Sequence, residues 1–345
     1  MLFNIWVTRN CNFRCKYCYV PEYDTNLKKD KADDILKFII NQMKYHENKQ
    51  EEIILNFHGG EPLLNKEAIV FFVKNIDDVF QGREISYGIT TNASLLDEKF
   101  SFFLANKFKY NLSVSIDGKS YTHDKYRRYS NGGSTYFDVI EKAVFLKKLY
   151  PELRIRLTYD SGTIQNLFEN IEHLVDMGFK NIVAAPNLSD KNWSEEHVHL
   201  FEKELEKIFL NYANQKSVSI NFIEDKLCKK REKCNGGTTS LNIDINGNLY
   251  PCTWSVGYTE FVIGDVVNGI NKKKLSNILN NSNAKHPTCK SCELSSCCVG
   301  VRCFIINKVI TGCYTTPPIW RCMHNNVLFL QQKIHTKEEG GYFEV

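Results

Sequence analysis

Three cysteines constrain this chain more than any other feature. Cys11, Cys15 and Cys18 stand in a C-x3-C-x2-C triplet just past the first apolar run. Three thiolates on one short loop hold three corners of a cubane iron–sulfur cluster. They leave the fourth iron without a protein ligand, much as a catalytic metal keeps an open coordination position. Zinc ribbons favour paired C-x2-C units and four ligands, and no fourth ligand lies near this loop. The fold therefore has to present the loop where a substrate can reach it.

The chain has 345 residues, enough for one large catalytic domain and a smaller appended one. Its formal charge of +4 is small for that length, and no dense basic arm points to nucleic acid. The stretch before Cys11 is too short and polar for a signal peptide, and no apolar run approaches a membrane span. Thirteen cysteines without a secretory signal point to metal ligation in a reducing cytoplasm.

Up to about residue 190, apolar runs alternate with helical patterns. Strands are expected at Leu2–Thr8, Ile53–Phe57, Ile85–Thr90, Asn111–Ser115, Arg154–Tyr159 and Asn181–Ala185. Helices are expected near Lys31–Glu47, Lys66–Phe80, Asp97–Asn106, Thr135–Leu149 and Ile164–Met177, with a bridging helix at Ser194–Asn214. Six strand–helix units imply an α/β fold, a parallel sheet closing into a partial (β/α)6 TIM-like barrel. Sites in such barrels lie at the C-terminal strand ends. The cysteine triplet follows the first strand, His58-Gly59-Gly60-Glu61-Pro62 the second, Thr91-Asn92 the third and Asp117-Gly118 the fourth. The expected division is a barrel over 1–192, a bridge over 193–225, a cysteine-rich domain over 226–330 among turns and short strands, and a tail over 331–345.

These motifs together resemble the radical S-adenosylmethionine (radical SAM) enzymes. The resemblance implies that the open iron is chelated by the amino and carboxylate groups of the methionine moiety. It places Tyr17 beside the adenine. It assigns Gly59, Gly60, Glu61 and Pro62 to the methionine amino group, with glycine permitting close backbone approach. Ser115 would bond ribose or carboxylate oxygens. Asn92 is similarly placed, though an Asn there is also an ordinary turn former. Arg127 would hold a carboxylate or stand as a solvated loop arginine. Asp117 with Gly118 reads equally as a turn.

Ten cysteines lie between Cys228 and Cys322. Cys234 and Cys252 enclose Gly247 in C-x12-G-x4-C, and Cys289, Cys292, Cys298, Cys303, Cys313 and Cys322 follow. The pattern resembles the SPASM domain of radical SAM enzymes that modify peptides and proteins, which binds two auxiliary [4Fe–4S] clusters. The resemblance gives the first Cys228, Cys234, Cys252 and Cys303, and the second Cys289, Cys292, Cys298 and Cys322. With the triplet that makes three [4Fe–4S] clusters, alongside S-adenosyl-L-methionine. Four residues rather than three separate Cys298 from Cys303. Cys297 competes with Cys298 and Cys313 with Cys322, and two zinc sites satisfy the same ligand count. A surplus cysteine is a small buried hydrophobe or a hydrogen-atom donor to a substrate radical.

The implied chemistry is cleavage of S-adenosylmethionine to a 5′-deoxyadenosyl radical, which removes hydrogen from an unactivated carbon. Fully ligated auxiliary clusters suit electron transfer, and so a net two-electron oxidation of a ribosomally made precursor peptide. A thioether or carbon–carbon crosslink is the first expectation. Anaerobic sulfatase maturation to formylglycine and peptide epimerisation are the enzymatic alternatives, and an iron–sulfur electron carrier is the non-enzymatic one. Sulfatase-maturing enzymes place an Asp after the Cys that ends C-x-G-x4-C, whereas Thr253-Trp254 follows Cys252 here. The first strand begins at Leu2, leaving no room ahead of it for a winged-helix leader-binding domain. Leader recognition then falls to the chain's own surface or a separate leader-binding protein. The basic Lys226–Lys233 stretch is one such surface, or simply a solvated face. A flavodoxin or ferredoxin is the expected electron donor.

Overall fold

The computed structural model describes residues 1–20, 25–46, 52–224 and 233–337. Cys228 and most of the basic 226–233 stretch lie outside the described residues, as does the chain beyond 337.

Two compact units form. The first takes residues 1–114, 127–150 and 234–280. It holds β1 (Leu2–Trp6), β2 (Ile53–His58), β3 (Ile85–Thr91) and β4 (Asn111–Ser115, of which Ser115 falls in the second unit), paired in parallel in that order. Helices α1 (Lys29–His46), α2 (Lys66–Val79) and α3 (Glu98–Lys107) follow the first three strands. The second unit takes 115–126, 151–233 and 281–345. It contains α4 (Ser120–Tyr126), while α5 (Tyr136–Leu149) belongs to the first. In the second unit β5 (Arg154–Tyr159), β6 (Asn181–Pro186) and β7 (Ser219–Ile220) run parallel, with α6 (Leu167–Asp176) and α7 (Glu195–Tyr212) between them. All six expected strands form, with ends displaced by no more than two residues. The expected helices form too; the first turn of the one near Ile164 is a 3-10 turn, Ile164–Asn166.

The strands form where β-branched and aromatic residues alternate against helices. Phe3, Ile5 and Val7 are fully buried. Phe57 of β2 packs on Phe72 of α2 at 6.2 Å, and Tyr87 of β3 donates to Asp77 of α2 at 2.6 Å. Burying one such ring contributes roughly 1.5–3 kcal/mol. Helix starts are set by side-chain caps, Asn65 accepting from Ala68 N for α2 and Asp97 from Phe100 N for α3.

The C-terminal third contributes to both units. In the first, β8 (Ser240–Ile243) adds in parallel to β1, and β9 (Asn248–Tyr250), β10 (Gly264–Asp265) and β11 (Gly269–Ile270) continue antiparallel. Gly247, in the β8–β9 turn, has φ +82°, a left-handed conformation costly for other residues. In the second unit, residues 287–311 fold mainly into short helical turns rather than the expected short strands. A helix over Ile319–Lys337 crosses residue 330, where a tail was expected to begin, and packs on α7. Trp320 of that helix stacks on Trp193 at 3.7 Å. Among the described residues, no helix is long and apolar enough to cross a membrane.

Candidate active site and cysteine clusters

The cysteine loop leaves β1 and is tied down from several directions. Glu61 N donates to Asn10 O (2.9 Å), and Arg14 N donates to Arg128 O (2.8 Å). Asn12 Nδ2 donates to Ser94 Oγ (2.8 Å), and Asn92 Nδ2 donates to Asn12 Oδ1 (3.0 Å). Phe13 meets Tyr129 edge-on at 5.1 Å. Within the loop, Cys18 N donates to Cys15 O (3.0 Å). The loops after β1, β2 and β3 thus hold one another.

The glycines of the second loop have a specific cause. A Cβ on Gly59 would stand 2.5 Å from Thr8 O, and one on Gly60 2.4 Å from Asn10 O. Their absence lets the Gly-Gly-Glu turn lie directly on the backbone leading into the cysteines. Glu61 is buried, and its carboxylate accepts from Leu63 N (3.0 Å), Thr91 Oγ1 (2.6 Å) and Asn92 N (2.7 Å). Burial pushes its pKa up to about 7, outweighing these three bonds. Pro62 is buried at the start of the 3-10 turn Pro62–Asn65.

Arg127 is buried, not solvated, and its guanidinium lies over the Tyr17 ring at 5.3 Å. Asn92 Oδ1 accepts from Ser94 N and Ser94 Oγ, so its side chain locks the turn that the sequence suggested. Ser115 ends β4 and is half-buried. Asp117 is buried, accepts from Thr158 N (2.9 Å), and its own N–H donates to His123 Nδ1 (3.3 Å). It braces the second unit rather than merely forming a turn.

Burial pushes the Cys11 thiol up to about 12, and Cys15 and Cys18 are close enough to add to the effect. Thiolates in such a place call for bound cations. Among the described residues, no three His, Cys, Asp or Glu side chains close on one ion-sized point.

In the second unit, Cys289, Cys292 and Cys298 lie close enough to raise the Cys322 pKa, after burial. Asn325 Nδ2 donates to Cys298 Sγ at 3.3 Å. Cys297 is buried, and its thiol donates to Leu294 O at 3.4 Å. Cys313 is exposed beside Thr315. In the first unit, a Cβ on Gly236 would meet Pro251 O at 2.3 Å and Cys234 Sγ at 3.4 Å, so the Cys234 turn lies against the strand leading to Cys252. Cys303 caps the helix that begins at Phe304.

The sequence model of the radical SAM superfamily matches residues 5–201. The chain belongs to the radical SAM superfamily. It is an enzyme of a family that binds S-adenosylmethionine and a [4Fe–4S] cluster. An uncharacterised protein of Methanocaldococcus jannaschii is 30% identical over 277 residues, covering 79% of this chain and 90% of that one. A cysteine-type anaerobic sulfatase-maturating enzyme of Clostridium novyi is 24% identical over 324 residues, 84% of each chain. The solved structure of native anSMEcpe with bound AdoMet and Cp18Cys peptide superposes with a TM-score of 0.80 at 20% identity, covering 97% of this radical SAM chain and 99% of that one. The α/β radical SAM fold with a cysteine-rich C-terminal region is thereby shown.

Sequence reasoning missed Asn12 and Ser94 and placed Thr91 at the third strand's end without a role; all three bond the loops together. It also missed the stack of Tyr19 on Trp254 at 4.5 Å. Their signal was position alone: each sits beside a residue already singled out.

Proposed function

We propose that this radical SAM enzyme oxidises a ribosomally made peptide, joining a cysteine sulfur or a carbon to a second carbon with loss of two hydrogens. The bound cluster and S-adenosylmethionine supply a hydrogen-abstracting radical. In this reading Cys11, Cys15 and Cys18 hold the cluster, and Tyr17, Gly59, Gly60, Glu61, Pro62, Asn92, Ser115 and Arg127 surround the nucleotide and methionine. Cys228, Cys234, Cys252 and Cys303 hold one auxiliary cluster, and Cys289, Cys292, Cys298 and Cys322 the other. The internal bond of Cys297 and the separate place of Cys313 support Cys298 and Cys322 as ligands. For a thioether the balance is complete. With the cofactors bound, one C–H hydrogen would pass as an atom to the nucleoside, the thiol proton would go to a carboxylate elsewhere in the site rather than to position 253, and the remaining electron would go to an auxiliary cluster.

One observation carries the choice of reaction. Thr253 follows Cys252, and its hydroxyl donates to Asn242 Oδ1 at 2.8 Å. A hydroxyl so engaged offers no base to a thiol or alcohol being oxidised to an aldehyde. The test is mass spectrometry of anaerobic reactions with S-adenosylmethionine and a strong reductant. A short peptide encoded beside the gene should lose the mass of two hydrogens, and a Cys-x-Pro-x-Arg peptide should gain no aldehyde. Sulfatase-type maturation is the second reading, supported by likeness to the Clostridium novyi enzyme over most of the chain. Aldehyde formation at a rate matching cofactor cleavage would establish it instead.

A further inference from the structure

Asparagine is a poor helix former, because its short amide competes with the backbone for hydrogen bonds. The helix Ile319–Lys337 nevertheless carries two in succession, Asn325 and Asn326, well inside its ends. They stand three and four residues after Cys322, the spacing that makes side chains neighbours on a helix surface.

Apolar packing sets this helix in place. Trp320 is buried and stacks on Trp193, Val327 and Leu328 are buried, and Gln332 Nε2 donates to Phe222 O at 2.9 Å. None of these contacts involves a cysteine. The second unit's own core therefore fixes the two amides, and a group built on such a rigid element is held precisely.

Both amides direct an N–H at sulfur. Asn325 Nδ2 donates to Cys298 Sγ at 3.3 Å, and Asn326 Nδ2 reaches Cys322 Sγ at 3.8 Å. Asn326 is exposed, so water can also satisfy it. Asn325 is only 6% exposed, and there the partner is informative. A buried amide needs good partners, and a neutral thiol is a weak acceptor. A metal-bound thiolate is an anion, and a hydrogen bond to it is charge-assisted and roughly twice as strong. The donor set fits such an anion. Cys289, Cys292 and Cys298 lie near enough to Cys322 to act on its charge, and none of the four is in a disulfide.

We propose that Asn325, assisted by Asn326, raises the reduction potential of the auxiliary cluster held by Cys289, Cys292, Cys298 and Cys322, by donating to its ligand sulfurs. Both act through the cysteines and are positioning residues. The proposal rests on the reading that these four cysteines hold a cluster, and deepens it. Reduction adds one negative charge, shared with the sulfurs. A fixed N–H donor stabilises that charge, and hydrogen bonds to sulfur are among the levers that set such potentials. The raised potential would favour accepting the one electron a substrate radical gives up as its new bond forms. A one-electron carrier of the flavodoxin or ferredoxin class would then remove it.

The test is a redox titration of the iron-loaded protein, followed by electron paramagnetic resonance on the signal that Cys292→Ala removes. Asn325→Leu keeps a branched side chain without an N–H. It should shift the reduction equilibrium about tenfold toward the oxidised form, about 59 mV for one electron. Asn326→Leu, whose bond is longer and open to water, should shift it less. Iron content should stay near native in both. A second measurement needs no variant. Native protein labelled with nitrogen-15 at asparagine alone should show a nitrogen hyperfine coupling to the reduced cluster, and Asn325→Leu should weaken it. An equilibrium within twofold of native in iron-loaded Asn325→Leu overturns the inference while leaving the cluster reading standing. So does native protein that shows the cluster signal without the coupling. Native protein that binds only about eight irons, with none lost on Cys322→Ala, overturns the cluster reading and the inference with it.

Discussion

The two cysteine regions are built on opposite plans. The 11–18 loop is held by distant parts of the chain: Asn10 by Glu61, Asn12 by Asn92 and Ser94, Arg14 by Arg128. The bonds of residues 286–303 run mostly between neighbours, such as Cys289 N to His286 O, Ser295 N to Cys292 O and Cys303 N to Val299 O. A loop fixed from outside keeps its shape without metal. A series of short helical turns joined by local bonds has little of its own to resist opening, and there the proposed cluster would supply folding free energy. The difference suits their proposed tasks. An open iron has to be aimed at a substrate, whereas an electron-accepting cluster needs only to be enclosed.

The largest effect expected is on the reaction. Replacing Cys11, Cys15 and Cys18 together by Ala should abolish cleavage of S-adenosylmethionine to 5′-deoxyadenosine. It should also remove about four of about twelve bound irons, leaving thermal stability of the first unit nearly intact. Cleavage surviving in that variant, measured by chromatography under anaerobic reduction, breaks the assignment of the open iron.

Iron removal should then separate the two regions. Chelation under reducing conditions should speed amide hydrogen exchange across 286–303 by a factor of a hundred or more, and across 11–18 by less than ten. Equal acceleration in both would show that the outer bonds do not hold the first loop as argued.

Glu61 gives a smaller, pH-dependent effect. Its folded pKa, about 7, lies above the ordinary 4.5. Between those values the folded metal-free protein binds more protons than the unfolded one. Stability from this group is therefore full below about pH 4.5 and is lost as pH rises through about 7. Buried as it is, the span corresponds to about 3–4 kcal/mol. Glu61→Gln should flatten that slope in urea titrations of the metal-free protein. An unchanged slope would show that its three donors, rather than burial, govern the carboxyl.

How much of this was legible in the chain follows the same divide. The barrel strands and helices could be read because apolar periodicity and caps are local properties, as with Asn65 and Asp97. The Cys-Gly-Gly-Glu constellation was legible because each motif follows a strand. What could not be read depends on register. Asn4, Asn56 and Asn242 are far apart in sequence and form a row across β8, β1 and β2 only once the pairing is known. Glu61 as a clamp needs Thr91 and Asn92 brought to it. In the C-terminal region, cysteine spacing suggested ligands but not helices, because metal-stapled segments need little periodicity. The helix Ile319–Lys337 was hidden by a polar sequence that looked like a tail.

The smallest effect separates ligands from bystanders within the second region. Cys313 is exposed, and hydrogen bonds from Thr315 and Thr316 lower its thiol pKa to about 7. At pH 7.5 more than half of it is thiolate, so it should react with iodoacetamide first among the cysteines of the iron-loaded protein. Cys313→Ser should leave iron content and cofactor cleavage within about a fifth of native values. Cys297→Ala should cost about 1 kcal/mol for a small buried thiol, without loss of iron. Cys322→Ala, by contrast, should cost up to four irons. Should Cys313→Ser shed iron while Cys322→Ala keeps it, the ligand has been exchanged. The nearness of Cys322 to Cys289, Cys292 and Cys298 would then have to change on metal binding, and the second region would be more plastic without its cluster than even its local bonding implies.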